Sequence, residues 1–443
     1  MTATVAAGLR VTTRPAPVDL DAVALYASAG SSARWYWSHP SGGEVQVGLG
    51  AALTITAEGA DRFAQVAAAV QTAGVTGSGR ACEPEPVLVG GFAFDHRAVA
   101  VRRPPWPAWP AARLVLPTLT YLRRGDEAWW LVAADEADAS RADASRLGDE
   151  RVAAATCAAR SGWRPQTGPL AQAVADPTTD DAHEALVAEA LGELDDGRMA
   201  KVVLARCFDI EAGVDEASLV DRLSRRHRDC ATFAVGAGDH AFVGASPECL
   251  VSLSGDEVRT AAVAGTVRRG QTPAEDRRLA AWLAADDKER REHRLVLDDV
   301  RGALRRVGVE LSDPQPTDVL TLGSCHHLHT PVQGRRCDAA TTVIDLAGAL
   351  HPTPAVAGTP TGAALDWIRD HEHMDRGWYA APVGWTDLSG QGEFRVALRS
   401  ALVGPERTHL FAGGGIVVGS DPRRELHETA VKLAAVLSPL LDR

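Results

Sequence analysis

The sequence predicts an α+β protein built on a large antiparallel sheet. Strand-like and helix-like segments are mixed along the 443 residues, without the strict strand–helix–strand repeat of a parallel sheet. The strand-like runs 394–403 and 409–418 lie close enough in sequence to form a hairpin, which is an antiparallel unit. No Walker or Rossmann fingerprint is present, because Gly413-Gly414-Gly415 lacks the required spacing and the ribose-binding acid.

Composition and charge exclude several classes of partner. The formal net charge is −12 and no Lys/Arg-rich block is present, which argues against nucleic acid or an anionic membrane as the main partner. The seven cysteines are scattered and never spaced as C-x-x-C, a pattern typical of a reducing cytoplasm rather than of disulfides or structural zinc. No signal-peptide core or apolar run of transmembrane length is seen. We therefore expect a cytoplasmic protein.

The first 175 residues carry few chemical signals. They are predicted to form strands and helices without an obvious catalytic group, and 161–179 is predicted to be a connector rich in Pro, Gly and Thr. The predicted strands are 35–37, 45–55, 86–94, 114–122 and 128–133, and the predicted helices are 60–73 and 135–159.

From residue 180 onward the chemical signals become denser. The predicted strands are 199–210, 231–237, 241–253 with an interruption at 244–247, 257–264, 318–322, 327–333 and the two runs of the C-terminal hairpin. The predicted helices are 182–194, 273–284, 286–307, 341–350, 362–373 and one that closes the chain after residue 420.

The stretch 411–432 combines glycines with a carboxylate pair. An apolar strand enters Gly413-Gly414-Gly415, a second strand piece follows at 416–418, and Ser420 and Asp421 suit the N-cap of a helix. Glycines let a ligand approach the backbone, and free N–H groups there hold anions. The helix carries Glu425 and Glu428, which are three residues apart and so share a face.

A second helix presents the same pair of acids. Glu289 and Glu292 are again three apart, near the start of the predicted helix 286–307. Two such helices meeting around one point would suit Mg²⁺, a hard cation that prefers carboxylates and also accepts ligand oxygens. On a charged helix an E-x-x-E pair is by itself usually solvated surface, so the prediction depends on the neighbouring motifs.

Two further ionisable residues lie in strand-like sequence. Lys201 begins an otherwise apolar strand, and a buried lysine that loses its charge can act as a base. Glu248 follows Ala245-Ser246-Pro247, and a desolvated Glu keeps its proton near neutral pH and can act as an acid. On spacing alone, such a pair is more often structural than catalytic.

Nine motifs, in order, resemble the chorismate-utilising enzymes over roughly residues 180–440. The N-terminal RWYW and VGLGAA are similar, more loosely, to the isochorismate synthases of that family. The nine are MAKVVLAR (199–206), FVGASPE (242–248), AGTVRRG (264–270), KERREH (288–293), HLHTPVQG (327–334), LHPTPAVAGTP (350–360), DRGWYAAPVGW (375–385), GEFRVALRSAL (392–402) and SDPRRELHETAVK (420–432).

This resemblance implies a fold and a set of roles. The fold would be the sandwich of anthranilate-synthase type, with two facing antiparallel sheets and outer helices, and residues 1–443 would form one chorismate-binding domain whose catalytic part is 180–440. Lys201 matches the base that activates water, and Glu248 matches the acid that protonates the departing 4-hydroxyl. The remaining matches are Glu292 and Glu428 as direct Mg²⁺ ligands, Glu289 and Glu425 as outer carboxylates, and Thr266, His327, Tyr379, Arg399, Gly413, Gly414, Gly415 and Lys432 as substrate contacts.

A few positions distinguish the subfamilies. Aminodeoxychorismate synthases carry a nucleophilic lysine where this chain has Ala264, and the ammonia-using enzymes generally lack a lysine at position 201. Both positions favour water as the nucleophile, with no glutaminase subunit. Pro354-Ala355-Val356 is closest to the isochorismate synthases, and Ala381 departs from the glycine of many relatives.

The resemblance thus predicts a Mg²⁺-dependent, monomeric isochorismate synthase of menaquinone or catechol-siderophore biosynthesis. A salicylate synthase or an anthranilate-type lyase that releases pyruvate remains the alternative. Ala381 would narrow the substrate pocket slightly without changing the reaction.

Overall fold

The computed structural model describes residues 2–4, 8–39, 43–77, 79–80, 83–97, 105–106, 109–135, 141–171, 180–321 and 325–441. The strands in these ranges are β1 (Thr2–Thr4), β2 (Leu9–Pro15), β3 (Arg34–His39), β4 (Glu44–Leu49), β5 (Leu53–Ala57), β6 (Val75–Thr76), β7 (Val87–Phe92), β8 (Ala112–Leu116), β9 (Leu119–Arg124), β10 (Glu127–Asp135), β11 (Lys201–Ile210), β12 (Ala231–Ala237), β13 (His240–Ser246), β14 (Cys249–Ser254), β15 (Glu257–Arg268), β16 (Val309–Leu311), β17 (Asp318–Thr321), β18 (Cys325–Arg336), β19 (Gly358–Thr359), β20 (Pro382–Asp387), β21 (Gly392–Val396), β22 (Ser400–Val403) and β23 (Thr408–Val417).

Helices of the same ranges cover the sheets. They are α1 (Ala22–Ala27), α2 (Arg62–Gln71), α3 (Arg141–Arg160), α4 (Asp180–Asp195), α5 (Glu216–Arg226), α6 (Pro273–Ala285), α7 (Asp287–Arg306), α8 (Val343–Leu350), α9 (Thr361–His371) and α10 (Pro422–Leu441). Part of the predicted helix 135–159 and residues 172–179 of the predicted connector lie outside the described residues. Within the described ranges, no helix combines the length and apolar character that a membrane span requires.

The strands form two large sheets, as predicted. Sheet 1 has the order β1-β5-β8-β7-β20-β21-β14-β15-β18-β16, with β17 also paired to β18. Sheet 2 has the order β19-β11-β23-β22-β13-β12-β3-β4-β9-β10-β2-β6. Among the described strands every pairing is antiparallel except that of β2 with β6. Strands from the first 135 residues pair directly with later ones in both sheets, β7 with β20 and β3 with β12.

Three segments that were predicted as continuous strands each form two strands, one in each sheet. The chain passes from sheet 2 to sheet 1 between β4 and β5, from sheet 1 to sheet 2 between β8 and β9, and from sheet 1 to sheet 2 between β21 and β22. The interrupted run 241–253 crosses in the same way between β13 and β14. The predictions missed these crossings because an apolar pattern continues unbroken when both sheets face one core.

Side chains alternate between two cores across sheet 2. Trp35, Trp37 and Phe242 belong to a core that also contains residues of sheet 1, including Val251 and Phe394. Their neighbours on the same strands, such as Tyr36 and Val243, pack instead into a second core with the helices α1, α3, α5 and α10. Sheet 2 is therefore buried on both faces, and the shared core holds the two sheets together.

Candidate active site

The structure brings thirteen of the fourteen predicted site residues to one cavity of about 270 Å³. The fourteenth, Gly414, is not among the residues that line it. The thirteen are Lys201, Glu248, Thr266, Glu289, Glu292, His327, Tyr379, Arg399, Gly413, Gly415, Glu425, Glu428 and Lys432. They come from both sheets, from the chain crossings between the sheets, and from helices α7 and α10.

Strand alternation explains why Gly414 differs from its neighbours. A Cβ atom on Gly415 would lie 2.9 Å from Lys201 Cε, and one on Gly413 would lie 3.2 Å from the Tyr379 hydroxyl. A Cβ atom on Gly414 would instead meet Glu425 Oε2 at 3.5 Å and Thr429 at 3.6 Å, so this face of the strand is turned toward α10. The glycines at 413 and 415 leave open space where side chains would fill the cavity.

The three glycines do not interrupt the strand, contrary to the prediction. β23 pairs with β11 without a break from Lys201↔Val417 to Ile210↔Thr408. On the other edge of β23, the pairing with the described strand β22 ends at Phe411. Beyond Phe411 no described strand pairs with this edge of β23, which we call the open edge. Gly413 O on that open edge accepts from Lys432 Nζ at 2.9 Å, and Val417 N donates to Ser420 Oγ at 3.2 Å.

Backbone groups of alternate residues point to the same edge of a strand, so the N–H of Gly415 also faces the open edge of β23. The anion donors predicted at the three glycines are thus N–H groups of a strand edge.

Lys201 is fixed at the start of β11 beside the cavity. The residue is 7% exposed, and its Nζ donates to Glu292 Oε1 at 2.7 Å. The partner stands on α7, whose first turn is capped by the Asp286 side chain, which accepts from the backbone N–H groups of Lys288 and Glu289. A capped helix end and a paired strand hold this ion pair from two rigid elements.

Glu248 lies at the crossing between β13 and β14. Its carbonyl accepts from Val396 N at 3.1 Å, and its N–H donates to Ser246 Oγ at 3.2 Å. That hydroxyl donates in turn to Val396 O at 2.5 Å. Burial raises the pKa of the Glu248 carboxyl to about 7, although the positive charges of Lys201 and Lys432 work in the opposite direction. A substantial fraction of this carboxyl is therefore protonated at neutral pH.

Arg399 lies at another crossing of the chain between the sheets, the one between β21 and β22. Its carbonyl accepts from Ala245 N at 3.1 Å, so the two crossings are joined by hydrogen bonds. Its backbone φ is +48°, and Ala380 across the same cavity has φ of +59°. Among the described residues other than glycine, only these two have a left-handed backbone, a conformation that L-residues adopt at a cost. Such strain is concentrated where the chain shapes a binding site.

The four glutamates reach the cavity from two helices. Glu289 and Glu292 stand on α7, and Glu425 and Glu428 stand on α10. Burial, with the charge of Glu292, raises the pKa of Glu289. Burial, with the charge of Glu428, raises the pKa of Glu425 to about 7. The repulsion between neighbouring carboxylates of this kind is relieved by a bound cation.

Two of these carboxylates are paired with lysines. Glu292 accepts from Lys201, and Glu428 Oε1 lies 2.7 Å from Lys432 Nζ. Burial works against the charged forms, yet the opposite charges outweigh it, so that the pKa of Glu428 is lowered and that of Lys432 is raised. In the described residues, no three of the four carboxylates have oxygens within 4.8 Å of one another. The geometry thus suits one or two direct carboxylate ligands, the number that Mg²⁺ typically takes.

A bulge in β15 directs Thr266 toward this group. The β15–β18 register shifts between Ala264 and Thr266, and Gly265 has φ of +73°. The strand therefore continues past the point where the sequence predicted its end. Thr266 N donates to Glu289 Oε2 at 3.2 Å, and its hydroxyl lies 3.0 Å from His327 Nδ1. Bulges are common beside active sites, where they redirect a side chain.

His327 is held from both ring nitrogens. Nδ1 contacts Thr266, and Nε2 lies 3.0 Å from Cys325 Sγ. Burial, followed by the charges of Lys432 and Arg399, lowers the pKa of His327 to about 4, so the imidazole is neutral at neutral pH. Cys325 was not predicted as a site residue, although its position two residues before His327 on a strand places both on one face.

Tyr379 and Arg376 close another side of the cavity. The Tyr379 ring stacks on Phe411 with centroids 5.2 Å apart, and burial raises the pKa of its hydroxyl. Arg376, which was not predicted either, forms a buried ion pair with Glu372 and donates to Val203 O at 2.7 Å. It therefore anchors β11 next to Lys201. The other cavity-lining residues that were not predicted include Lys288, Leu398 and Ser420.

The family of the chain follows from its match to a model described as "Chorismate binding enzyme", which covers residues 6–441. This chain belongs to the chorismate-binding enzymes. The resemblance proposed from its motifs is therefore confirmed, and so is the fold class.

Curated relatives share most of the chain. It is 41% identical over 358 residues to the "Salicylate biosynthesis isochorismate synthase" of Pseudomonas aeruginosa, covering 80% of this chain and 74% of that protein. It is 31% identical over 362 residues to the isochorismate synthase MenF of Bacillus subtilis, again covering 80% and 74%.

Solved structures of this family show the same architecture. The menaquinone-specific isochorismate synthase MenF of Escherichia coli matches with a TM-score of 0.81 and 28% identity, covering 98% of this chain and 95% of that one. Anthranilate synthase component I of Streptococcus pneumoniae matches with a TM-score of 0.74, covering 91% and 92%, and at 20% identity it supports the fold alone.

Proposed function

We propose that this chorismate-binding enzyme is an isochorismate synthase, an isomerase that moves a hydroxyl group from C4 of chorismate to C2. One observation carries the proposal. The amine of Lys201 and the carboxyl of Glu248 line one cavity, and this carboxyl keeps its proton to about pH 7. Relatives named isochorismate synthase, at 41% and 31% identity over 80% of the chain, support it.

The reaction needs one base and one acid. Lys201 Nζ takes a proton from water as the water oxygen bonds to C2. The ring double bonds shift, the C4–O bond breaks, and the Glu248 carboxyl gives its proton to the departing hydroxyl, which leaves as water. One water enters and one leaves, so no oxidant or reductant is required. The contact of Lys201 with Glu292 must be released during turnover, since it occupies the amine assigned as base.

The carboxylates of α7 and α10 fit Mg²⁺ by the chemistry of their donor atoms. Glu292 and Glu428 would bind it directly, and Glu289 and Glu425 would hold its water ligands. When bound, the ion would neutralise one carboxylate of the substrate and orient it.

The chain itself offers several groups to the dianionic substrate. Arg399 presents a planar fork that matches a carboxylate. Lys432 and the Gly415 N–H on the open edge of β23 supply further donors. Tyr379 donates from a hydroxyl that burial keeps protonated, and neutral His327, held by Thr266 and Cys325, lines the cavity without adding charge.

Water as the nucleophile removes the need for an ammonia source. Position 264 holds Ala264 and therefore no amine that could attack the ring. We accordingly propose that the enzyme acts without a glutaminase subunit, and as a monomer because one chain supplies every residue assigned a role. Structural relatives include a menaquinone-specific and a 2,3-dihydroxybenzoate-specific isochorismate synthase, so the product would serve either kind of pathway.

The test is to follow chorismate, isochorismate and pyruvate by chromatography with Mg²⁺, with and without ammonia. We expect isochorismate alone, unaffected by ammonia, and a return to chorismate when purified isochorismate is supplied. Lys201→Ala and Glu248→Gln should each lower turnover by about 10²–10⁴-fold in both directions. Pyruvate as a main product, or Lys201→Ala at wild-type turnover, would overturn the proposal.

A further inference from the structure

A cluster of three different metal-ligating side chains lies outside the cavity, on strands β11 and β23. Cys207 and Asp209 are two positions apart on β11 and therefore share a face. His409 is the direct register partner of Asp209 on β23. The three potential ligand atoms all lie within 4.8 Å of one another, and in the described residues no other group of three does so.

The three side chains converge on one oxygen atom. Asp209 Oδ1 lies 2.7 Å from His409 Nδ1 and 3.3 Å from Cys207 Sγ. Its other oxygen, Oδ2, is 3.9 Å from Arg407 Nη1, and Arg407 also reaches Glu211 at 3.3 Å. The carboxylate is thus oriented by a cation on one side and presents a single oxygen on the other. An outer partner of this kind is typical of carboxylates that bind a metal through one atom.

The set of donor atoms selects the class of ion. Thiolate sulfur and imidazole nitrogen suit Zn²⁺ and similar transition-metal ions, whereas Mg²⁺ and Ca²⁺ prefer oxygen ligands alone. Asp209 and His409 are 17% and 16% exposed, which lets an ion enter and keep a water ligand.

We propose that Cys207, Asp209 and His409 form a second metal site, for a zinc-class divalent ion with three protein ligands and one water. Binding takes the proton from the Cys207 thiol and releases it to solvent, and the His409 ring binds through Nδ1 as a neutral imidazole. The ion replaces the hydrogen bonds that now join the three atoms. It therefore crosslinks β11 and β23, the two strands that carry Lys201 and the cavity glycines at their other ends.

Cobalt(II) provides a direct test on the full-length protein, because thiolate ligation gives a near-ultraviolet charge-transfer band that oxygen ligands do not. The titration is made in excess Mg²⁺, which occupies the carboxylate cavity but does not compete for a thiolate. We expect the band to saturate at one equivalent and to disappear when Zn²⁺ is added. Cys207→Ser should abolish it, and His409→Gln should weaken Co²⁺ binding at least tenfold.

The matched control is Cys337→Ser, which removes an exposed cysteine elsewhere and should leave the band unchanged. Asp209→Asn tests the site without altering the thiol, in case Cys207→Ser does not fold, and should weaken binding as His409→Gln does. A wild-type protein without the band, or a band that survives in folded Cys207→Ser, would refute the site. So would unchanged affinity in both the His409 and Asp209 variants.

Discussion

Lys201 Nζ lies 2.7 Å from Glu292 Oε1, across 91 residues of sequence and between a strand and a helix. The proposed base and a proposed metal ligand are therefore each other's nearest ionic partner. A cation bound by Glu292 competes with Lys201 for that carboxylate, so metal binding and release of the amine are coupled through one contact.

Metal removal should consequently abolish turnover. We expect EDTA to stop isochorismate formation and Mg²⁺ to restore it, because Glu292 and Glu428 supply the carboxylates that the ion requires. Glu292→Ala and Glu428→Ala should be inactive but folded, as measured by chromatography and circular dichroism. The control is Glu406→Ala, which removes an exposed glutamate and should be fully active. Full activity of either cavity variant in metal-free buffer would contradict the assignment.

Arg399 gives a prediction about substrate binding. Arg399→Ala removes a charge-assisted contact of ~1.5–3 kcal/mol, so kcat/KM should fall about ten- to a hundredfold, mainly through KM. Arg424→Ala, which removes an exposed arginine on α10, serves as the control and should change neither constant. An Arg399 variant with unaltered kinetics would show that its guanidinium does not meet the substrate.

Thirteen of the fourteen residues selected from the motifs line one cavity, because each short run carries its own chemistry. Helical spacing places Glu289 with Glu292, and Glu425 with Glu428, on one helix face each, and the neighbouring motifs marked both pairs as site residues. The sequence could not reveal that the chain changes sheets immediately beside Glu248 and Arg399, because both sheets bury the same kind of apolar residue. The exchange of partners is a property of long-range pairing, which local periodicity does not record.

The same limit explains the error at Gly413 to Gly415. Three consecutive glycines are typical of a turn or loop, but here the backbone of β11 pairs with all three and keeps them in a strand. Tertiary pairing thus overrides local preference. Arg376 was missed for a related reason, since its partners Glu372 and the Val203 carbonyl become neighbours only in the fold.

Ala380 lines the cavity, whereas Ala381, which was expected to narrow it, is not among the lining residues. The two neighbouring alanines should respond differently to glycine. Ala380 has φ of +59°, whereas Ala381 is not among the described residues with positive φ. Both are buried, so each substitution removes one methyl group and adds chain entropy to the unfolded state. Only Ala380→Gly relieves the left-handed strain, which is roughly 1–2 kcal/mol. It should therefore be more stable than Ala381→Gly by about that amount in urea denaturation, and equal stabilities would argue against strain at Ala380.

Truncation tests the proposal that residues 1–443 fold as one domain. A fragment of residues 176–443 would lose β3 and β7, exposing the edges of β12 and β20 and part of the shared core. We expect this fragment to aggregate or to lack a cooperative thermal transition, while the full chain unfolds in one step. A soluble fragment with a cooperative transition and bound chorismate would show that the catalytic part is independent.

The pH profile tests the assignment of Glu248 as the acid. The forward reaction needs neutral Lys201 with protonated Glu248, and the reverse reaction needs charged Lys201 with ionised Glu248. In both forms Lys201 and Glu248 together carry one proton. The two forms therefore belong to one macroscopic protonation state of the pair. The carboxyl of Glu248 titrates at about pH 7, while Lys201 forms an ion pair with Glu292. Below that pH the pair carries two protons and is inactive.

We therefore expect kcat/KM to rise about tenfold per pH unit below pH 7 and to level off above it. This acidic limb of the pH profile must have the same midpoint with chorismate as with isochorismate as the substrate, because the isomerisation takes up no net proton. Residual turnover of Glu248→Gln should lack the limb, because glutamine does not titrate, whereas Glu406→Ala should retain it. Initial rates in both directions from pH 5 to 9 give the comparison. A limb that persists unchanged in Glu248→Gln would assign the titration to another group and leave Glu248 without its role as the acid.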